Sequence, residues 1–183
     1  FADALVALGD EGLRADMVLM DLGLSSMQVD QPHRGFSYSR QAPLDMRMDP
    51  SRERSAADLG AEASEQELSR IIRTYGEERY ARQIARDIVR RRAKAPITTP
   101  GDLVEVVRAA VPTPALFAGG HPAKRVFQAL RIAVNEELDV LESGLESAFA
   151  LLNPGGRMSV ISFHSLEDRM LKRFMRAQSQ GCI

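Results

Sequence analysis

An acidic residue directly follows a short apolar run near the start of the chain. Residues 17–20 are Met, Val, Leu and Met; Asp21 comes next, and Gly23, Ser25 and Ser26 follow it. A short continuous apolar run is typical of a strand buried on both faces of a parallel sheet. In an open α/β sheet, ligands bind beyond the carboxyl ends of the strands, so this carboxylate and these hydroxyls are candidates to contact one. The alternative, that Asp21 only caps a following helix, stays open on these residues alone.

A second apolar run, residues 157–163, also ends in a polar cluster, which contains His164, Glu167 and Asp168. If the two runs are neighbouring strands, both clusters should face one crevice at the same edge of the sheet. The ordinary alternatives are that His164 caps a helix and that the two acids favour the positive end of that helix.

The segments around these runs predict how they are held. Apolar residues recur at steps of mostly three and four from Phe127 to Leu152, which predicts one amphipathic helix. Residues 153–156, Asn-Pro-Gly-Gly, form a turn before the second run. Helix, turn and buried strand in succession are half of a βαβ unit, so the sequence predicts an α/β fold with a parallel sheet.

The middle of the chain contains no convincing strand. Ser64 and Glu67 have the spacing of a capping box, and Thr99 followed by Pro100 is a second helix start. Between them, apolar residues at spacing four predict a further helix. We therefore expect an inserted helical subdomain at residues 46–120, between two parts of the α/β domain at 1–45 and 121–183.

Composition excludes several classes of protein. The formal net charge of the 183 residues is −1, so any contact with nucleic acid needs a local basic patch. One cysteine rules out an internal disulfide framework, and the three histidines lack the spacing of a zinc site. No apolar run approaches the roughly 20 residues that span a bilayer, and no signal peptide is recognisable. The composition predicts a soluble, cytoplasmic protein without a structural metal.

Two further segments are candidates for binding. Residues 33–49 have neither helical nor strand periodicity and are rich in Arg, aromatic and acidic side chains, among them Asp45 and Arg47. A row of arginines at spacings of three and four predicts one basic helix face: Arg79, Arg82, Arg86 and Arg90. A solvated loop and a solvated helix face are the ordinary alternatives.

Three blocks of the sequence resemble signatures of one known family. DLGLSSMQVDQPHRGFSYSRQAPLDMRMD, GGHPAKRVFQALRIAVNEEL and NPGGRMSVISFHSLEDRMLKRF resemble, in the expected order, signature blocks of the bacterial ribosomal RNA small-subunit methyltransferase H family, also called MraW. The resemblance implies a Rossmann-like methyltransferase sheet with an inserted all-helical subdomain. It implies S-adenosyl-L-methionine as cofactor, bound by Phe1, Asp21 and Gln28. It also implies methylation of the exocyclic N4 of a cytidine in the decoding region of 16S rRNA, free or within the small ribosomal subunit.

One departure from the family pattern leaves a second function open. The glycine-rich cofactor turn of the family is missing, so we expect the chain to be incomplete at both termini. A non-catalytic RNA- or protein-binding α/β module therefore remains an alternative. A phosphatase that needs a second Asp two residues after Asp21 is excluded, because Gly23 occupies that position.

With the resemblance, the candidate residues fall into three groups. The catalytic candidates are Asp21, Ser25 and Ser26, which could accept a hydrogen from the amine that is methylated. The substrate side would be lined by Asp45, Arg47, His164 and Asp168. The arginine row, Arg79, Arg82, Arg86 and Arg90, would contact the RNA backbone.

Overall fold

The computed structural model describes residues 2–25, 31–37, 42–116 and 120–179 of the chain. The first elements are α1 (Ala2–Asp10), β1 (Ala15–Asp21) and a 3-10 turn (Pro32–Arg34). A series of helices follows: α2 (Ala56–Glu62), α3 (Glu65–Gly76), α4 (Ala81–Arg92), α5 (Pro100–Ala110), α6 (Thr113–Leu116), α7 (Lys124–Asn135) and α8 (Glu137–Ala150). The described part ends with β2 (Leu152–Ile161) and α9 (Ser165–Ser179). None of its helices is long and apolar enough to cross a membrane.

The chain divides into two compact units. The sheet unit comprises Phe1–Gly23 and Glu136–Ile183, and the helical unit comprises Leu24–Asn135. The helical unit extends beyond the predicted range of 46–120 at both ends. One reason is that Leu44 and residues of α7 such as Val126 are almost fully buried in its core.

The sheet unit contains the two predicted strands, and they are parallel neighbours. Asp21 at the end of β1 is opposite Ile161 at the end of β2. The pairing is irregular at its start, where the partner shifts from Leu152 to Arg157. The predicted turn at 153–156 is thus part of a strand irregularity, in which Gly155 adopts a φ of 83°.

The expectation that these strands are buried on both faces is wrong for the described residues. One face packs on a small cluster formed with α8 and α9, in which Met20, Leu145 and Leu171 are buried. On the other face Met17 and Leu19 are each 66% exposed. The physical reason is that the described helices of this unit cover only one side of the strands, as the alternation of half-buried and exposed residues along β2 also shows.

The helical unit contains the predicted caps. The Ser64 hydroxyl accepts a hydrogen bond from the backbone N–H of Glu67 at 3.1 Å, which fixes the start of α3. Thr99 and Asp102 form a complete capping box at the start of α5. Behind these caps lies a core whose fully buried members include Leu68 and Ile72.

The predicted single helix from 127 to 152 is two helices. Glu136 has a φ of 51°, and this left-handed residue separates α7 from α8. The apolar stripe continues past the break, but its two halves serve different cores. Leu130 belongs to the core of the helical unit, and Leu145 to that of the sheet unit. A one-residue break leaves the apolar spacing nearly unchanged, so hydrophobic periodicity does not reveal it.

Candidate functional site

The carboxyl ends of the two strands lie side by side, as predicted. The N–H of Leu22 donates to the carbonyl of Ile161 at 3.1 Å, which continues the pairing one residue past Asp21. Asp21 is exposed and lies on the same strand face as Leu19, because side chains alternate along a strand. The structure therefore places an accessible carboxylate at the edge where open α/β sheets bind ligands.

Gly23 is required by its conformation and by a close neighbour. Its φ is 94°, and a Cβ at this position would lie 3.0 Å from the ring of Phe163. A glycine, which has no side chain, allows another group to approach the backbone closely. In the structure the aromatic ring, itself 67% exposed, makes that close approach. Gly23 thus brings the ends of β1 and β2 together.

His164 forms the cap of α9. Its backbone N–H and that of Phe163 donate to Glu167 Oε2 at 3.2 and 2.8 Å. Its Nδ1 accepts from the N–H of Glu167 at 3.4 Å, and its Nε2 lies 3.3 Å from Glu167 Oε1. Since only 10% of the imidazole side chain is exposed, its contacts are made mainly with its own helix.

The other predicted residues of this edge differ in what they contact. Asp168 accepts from Lys172 Nζ at 2.8 Å in an exposed pair one helical turn apart. Ser25 is exposed. Phe1, Ser26 and Gln28 lie outside the described residues, so their predicted roles stay predictions.

Asp45 and Arg47, predicted on the substrate side, form an ion pair with each other within the helical unit. Arg47 Nε and Nη2 donate to the two carboxylate oxygens of Asp45 at 2.6 and 3.0 Å. These hydrogen bonds lower the pKa of Asp45. Arg47 Nη1 also donates to the carbonyls of Pro50 and Arg52. The pair therefore fixes the course of its own loop.

Sequence reasoning missed Asn135, which holds this loop from the end of α7. Its side chain is 5% exposed. Its Oδ1 accepts from the N–H of Met48 at 2.6 Å, and its Nδ2 donates to the carbonyl of Met46 at 2.7 Å. Met46 has a φ of 62°, an uncommon conformation for a residue with a side chain. A lone polar residue at the end of an apolar stripe was the only available indication.

The arginine row divides into exposed and structural members. Arg82, Arg86 and Arg90 are exposed at spacing four on α4, as predicted. Arg79 precedes the helix, and its guanidinium lies 4.6 Å from the ring centroid of Tyr80. In contrast, Arg92 donates to the carbonyls of Gly60 and Ala63 at 2.8 and 2.7 Å, near the end of α2.

The acidic and histidine side chains of the described residues are dispersed. Within the described ranges, no three His, Cys, Asp or Glu residues are grouped so that they could hold a metal ion.

Comparison with known proteins gives one consistent result. The sequence profile described as the MraW methylase family matches residues 2–183. Similar curated proteins include those of Micrococcus luteus (62% identity, covering 90% of this chain and 50% of the relative), Heliobacterium modesticaldum (55%, 93% and 54%) and Syntrophotalea carbinolica (55%, 100% and 59%). Each is named ribosomal RNA small subunit methyltransferase H. The chain spans about half the length of these relatives.

Proposed function

The chain belongs to the MraW methylase family, and from this premise we propose that it carries part of an enzyme that methylates 16S rRNA. The acceptor is the exocyclic N4 of a cytidine in the decoding region, and the donor is S-adenosyl-L-methionine. The two parallel strands are part of a Rossmann-like sheet. The enzyme works in the cytoplasm, on free 16S rRNA or on the small ribosomal subunit.

The observation that carries this proposal is the exposed carboxylate of Asp21 beside the end of β2. The amine of cytosine is a poor nucleophile, because its lone pair is delocalised into the ring. A sulfonium donor supplies an already activated methyl group when it is bound. The protein then has to align the reacting groups and accept a hydrogen from the amine as charge develops.

The residues at this edge fit those two tasks. A carboxylate accepts hydrogen bonds only, so Asp21 suits either the hydroxyl and ammonium groups of the cofactor or the amine of the acceptor base. Ser25 and Ser26 supply hydroxyls a few residues further along the chain. Phe1 and Gln28 remain proposed cofactor contacts on the strength of the family resemblance.

The remaining proposed residues act on the substrate side. A base within structured RNA must leave its stack before a group on its ring can react. We assign Asp168 to direct contact with the substrate, since its side chain is 48% exposed next to the start of α9. His164 holds the start of α9, on which Asp168 lies. Asp45 and Arg47 are proposed substrate contacts of the helical unit, where their hydrogen bonds hold the loop on which they lie. Arg82, Arg86 and Arg90 form the basic face for the RNA backbone.

Substitution of Asp21 tests the assignment. Asp21→Asn should reduce methyl transfer to small-subunit rRNA by about 100-fold or more, since removing one group that stabilises developing charge costs about that much. Asp16→Asn is the matched control, because Asp16 is an exposed acid near the opposite end of the same strand. Transfer of a labelled methyl group is the measurement, with circular dichroism to verify the fold. Near-normal activity of Asp21→Asn would remove Asp21 from the site.

Calorimetry separates this proposal from the binding-only alternative. Titration of S-adenosylmethionine into the chain should give heat of binding that Asp21→Asn weakens and Asp16→Asn does not. A chain that binds RNA but gives no heat with the cofactor would be a binding module.

A further inference from the structure

A hollow of about 290 Å³ lies within the helical unit. It is formed by the link between α3 and α4, the region where α5 ends and α6 begins, and the start of α7. Its lining includes Glu78, Arg79, Tyr80, His121, Lys124 and Arg125. At about 30 Å³ for each water molecule, the hollow has room for roughly ten, more than a phosphate group would fill.

The lining is positive and partly pre-organised. Arg79, Lys124 and Arg125 are all exposed cations. Arg125 Nη1 donates to the carbonyl of Glu77 at 3.0 Å, which ties the start of α7 to the end of α3. Glu78 is the acid among the described lining residues; it is 8% exposed, and its Oε1 accepts from the N–H of Tyr80 at 2.9 Å. This carboxylate thus fixes the link that carries Arg79.

The imidazole of His121 forms part of the lining. Burial and, after it, the positive charge of Arg108 lower the pKa of His121. Its Nδ1 accepts a hydrogen bond from the N–H of Ala123 at 3.3 Å, which helps to start α7 and fixes the ring in the wall of the hollow.

Arg79 supplies a second kind of contact. Its guanidinium is stacked over the ring of Tyr80, with 4.6 Å between the guanidinium carbon and the ring centroid. The guanidinium is planar, and unpaired RNA bases stack on such planes as they do on aromatic rings. A cationic surface together with a stacking plane is the combination that single-stranded nucleic acid requires.

We propose that this hollow binds one unpaired nucleotide of the RNA, with its phosphate held by Lys124 and Arg125 and its base stacked on Arg79. The inference rests on the proposed function, since it assumes an RNA substrate. It concerns a contact distinct from the carboxylate at the strand ends and from the exposed face formed by Arg82, Arg86 and Arg90 on α4. Its role is to hold a segment of the substrate RNA outside its base-paired regions.

Binding of a short, unstructured, fluorescently labelled RNA to the 183-residue chain tests the proposal by anisotropy. Lys124→Gln combined with Arg125→Gln should weaken binding about 10-fold or more. It should also reduce the slope of log affinity against log salt by about 1.4, the value for two lost phosphate contacts on a single strand. Arg70→Gln is the matched control, because Arg70 is exposed on α3 of the same unit. It should change the affinity by less than about 2-fold.

A conservative variant separates stacking from charge. Arg79→Lys keeps the charge and removes the plane, so affinity should fall about 5-fold or more while the salt slope stays unchanged. The NMR signals of the His121 ring should shift when RNA is added to the wild type. Circular dichroism of each variant verifies that the fold is retained.

Three results would overturn the proposal. They are wild-type affinity in the Lys124/Arg125 double variant, an unmoved His121 signal while RNA binds, and equal displacement of RNA by inorganic tripolyphosphate from wild type and Arg79→Lys. If methyl transfer were lost while RNA binding stayed intact, the fault would lie at the Asp21 site and not at this hollow. Absence of any RNA binding by the wild type would refute this inference together with the proposed RNA substrate.

Discussion

The two units of the molecule differ in how much of their apolar surface is buried. Among the described residues, the core of the helical unit contains 23 buried residues, and that of the sheet unit contains five. All the large hydrophobic side chains that are exposed in the described part of the chain belong to the sheet unit: Val6, Leu8, Leu13, Met17, Leu19, Phe149, Ile161, Phe163 and Met175. The helical unit buries its own apolar surface, whereas the candidate chemistry lies on a strand face that is apolar and open.

The exposed apolar side chains and the carboxylate of Asp21 lie on the same face of the strands. Met17, Leu19 and Asp21 alternate onto the same side of β1, and Ile161 is opposite Asp21 on β2. Contiguous exposed apolar surface of this kind is typical of a site of interaction. The comparison teaches that stability and candidate chemistry are separated in this chain, and the following substitutions test that separation.

The largest effect is expected from a cavity in the helical core. Leu130→Ala should cost about 4 kcal/mol, because Leu130 is 1% exposed and its large core cannot collapse into the space. Leu145→Ala in the sheet unit, where the leucine is 0% exposed, should cost nearer 2 kcal/mol, since the small cluster can relax. Amide hydrogen exchange, which reports local opening, measures both. Equal costs would show that the two cores are packed equally well.

Two asparagines extend the comparison to hydrogen bonds. Asn135→Ala should cost about 2–4 kcal/mol, because it leaves the buried N–H of Met48 and carbonyl of Met46 without this partner. Asn153→Ala in the sheet unit removes one exposed bond to Asp16 and should cost less than about 1 kcal/mol. Denaturant unfolding measures the difference. Asn135→Asp, which keeps the acceptor for Met48, should lose less than the alanine variant.

An intermediate effect concerns acid stability. The hydrogen bonds from Arg47 lower the pKa of Asp45 below the ordinary aspartate value of 3.8. The ionised carboxylate therefore stabilises the folded state above that value, and this contribution is lost as pH falls through the lower, folded pKa. Asp45→Asn should cost about 1–2 kcal/mol at pH 7, allowing for the partial exposure of the pair. It should also make the free energy of unfolding depend less on pH in the acid range.

The exposed pair of the sheet unit is the control for that measurement. Asp168 and Lys172 are 48% and 74% exposed, so Asp168→Asn should change stability by less than about 0.5 kcal/mol. If Asp168→Asn lowered the free energy of unfolding more than Asp45→Asn does, the exposed pair of the sheet unit would contribute more stability than the pair of the helical unit.

The smallest effect on stability is expected on the open strand face. Leu19→Lys should change the free energy of unfolding by no more than about 0.5 kcal/mol, because the side chain is 66% exposed. It should nevertheless reduce self-association, measured by analytical ultracentrifugation, since it interrupts the apolar surface. A strongly destabilised variant would mean that this face is covered in solution.

Much of the framework could be predicted from local patterns. Two short apolar runs gave two parallel strands, and Ser64 and Thr99 gave helix starts, because caps and apolar runs act over a few residues. The role of Asp21 stays a prediction, based on the general position of ligand sites in such sheets.

The other features of the structure depend on contacts between residues that are far apart in the sequence, and local patterns do not contain these contacts. Met48 and Asn135 are 87 residues apart, so their hydrogen bond leaves no mark on either segment alone. For the same reason, the local sequence does not show that Arg92 donates to the carbonyl of Gly60, 32 residues away, whereas Arg90 is exposed. The capping of α9 by His164 is local and was an open alternative, but residue types alone did not choose between a cap and a ligand.

The pairing of the two strands has a consequence for the order of folding. Asp16 and Asn153 form a hydrogen bond across 137 positions, and parallel pairing over such a distance must first overcome the entropy of closing a long loop. The helices between the strands make mostly nearer contacts, so they should collapse early and shorten the flexible chain that remains. We therefore expect the strands to join late, as the slow phase of refolding.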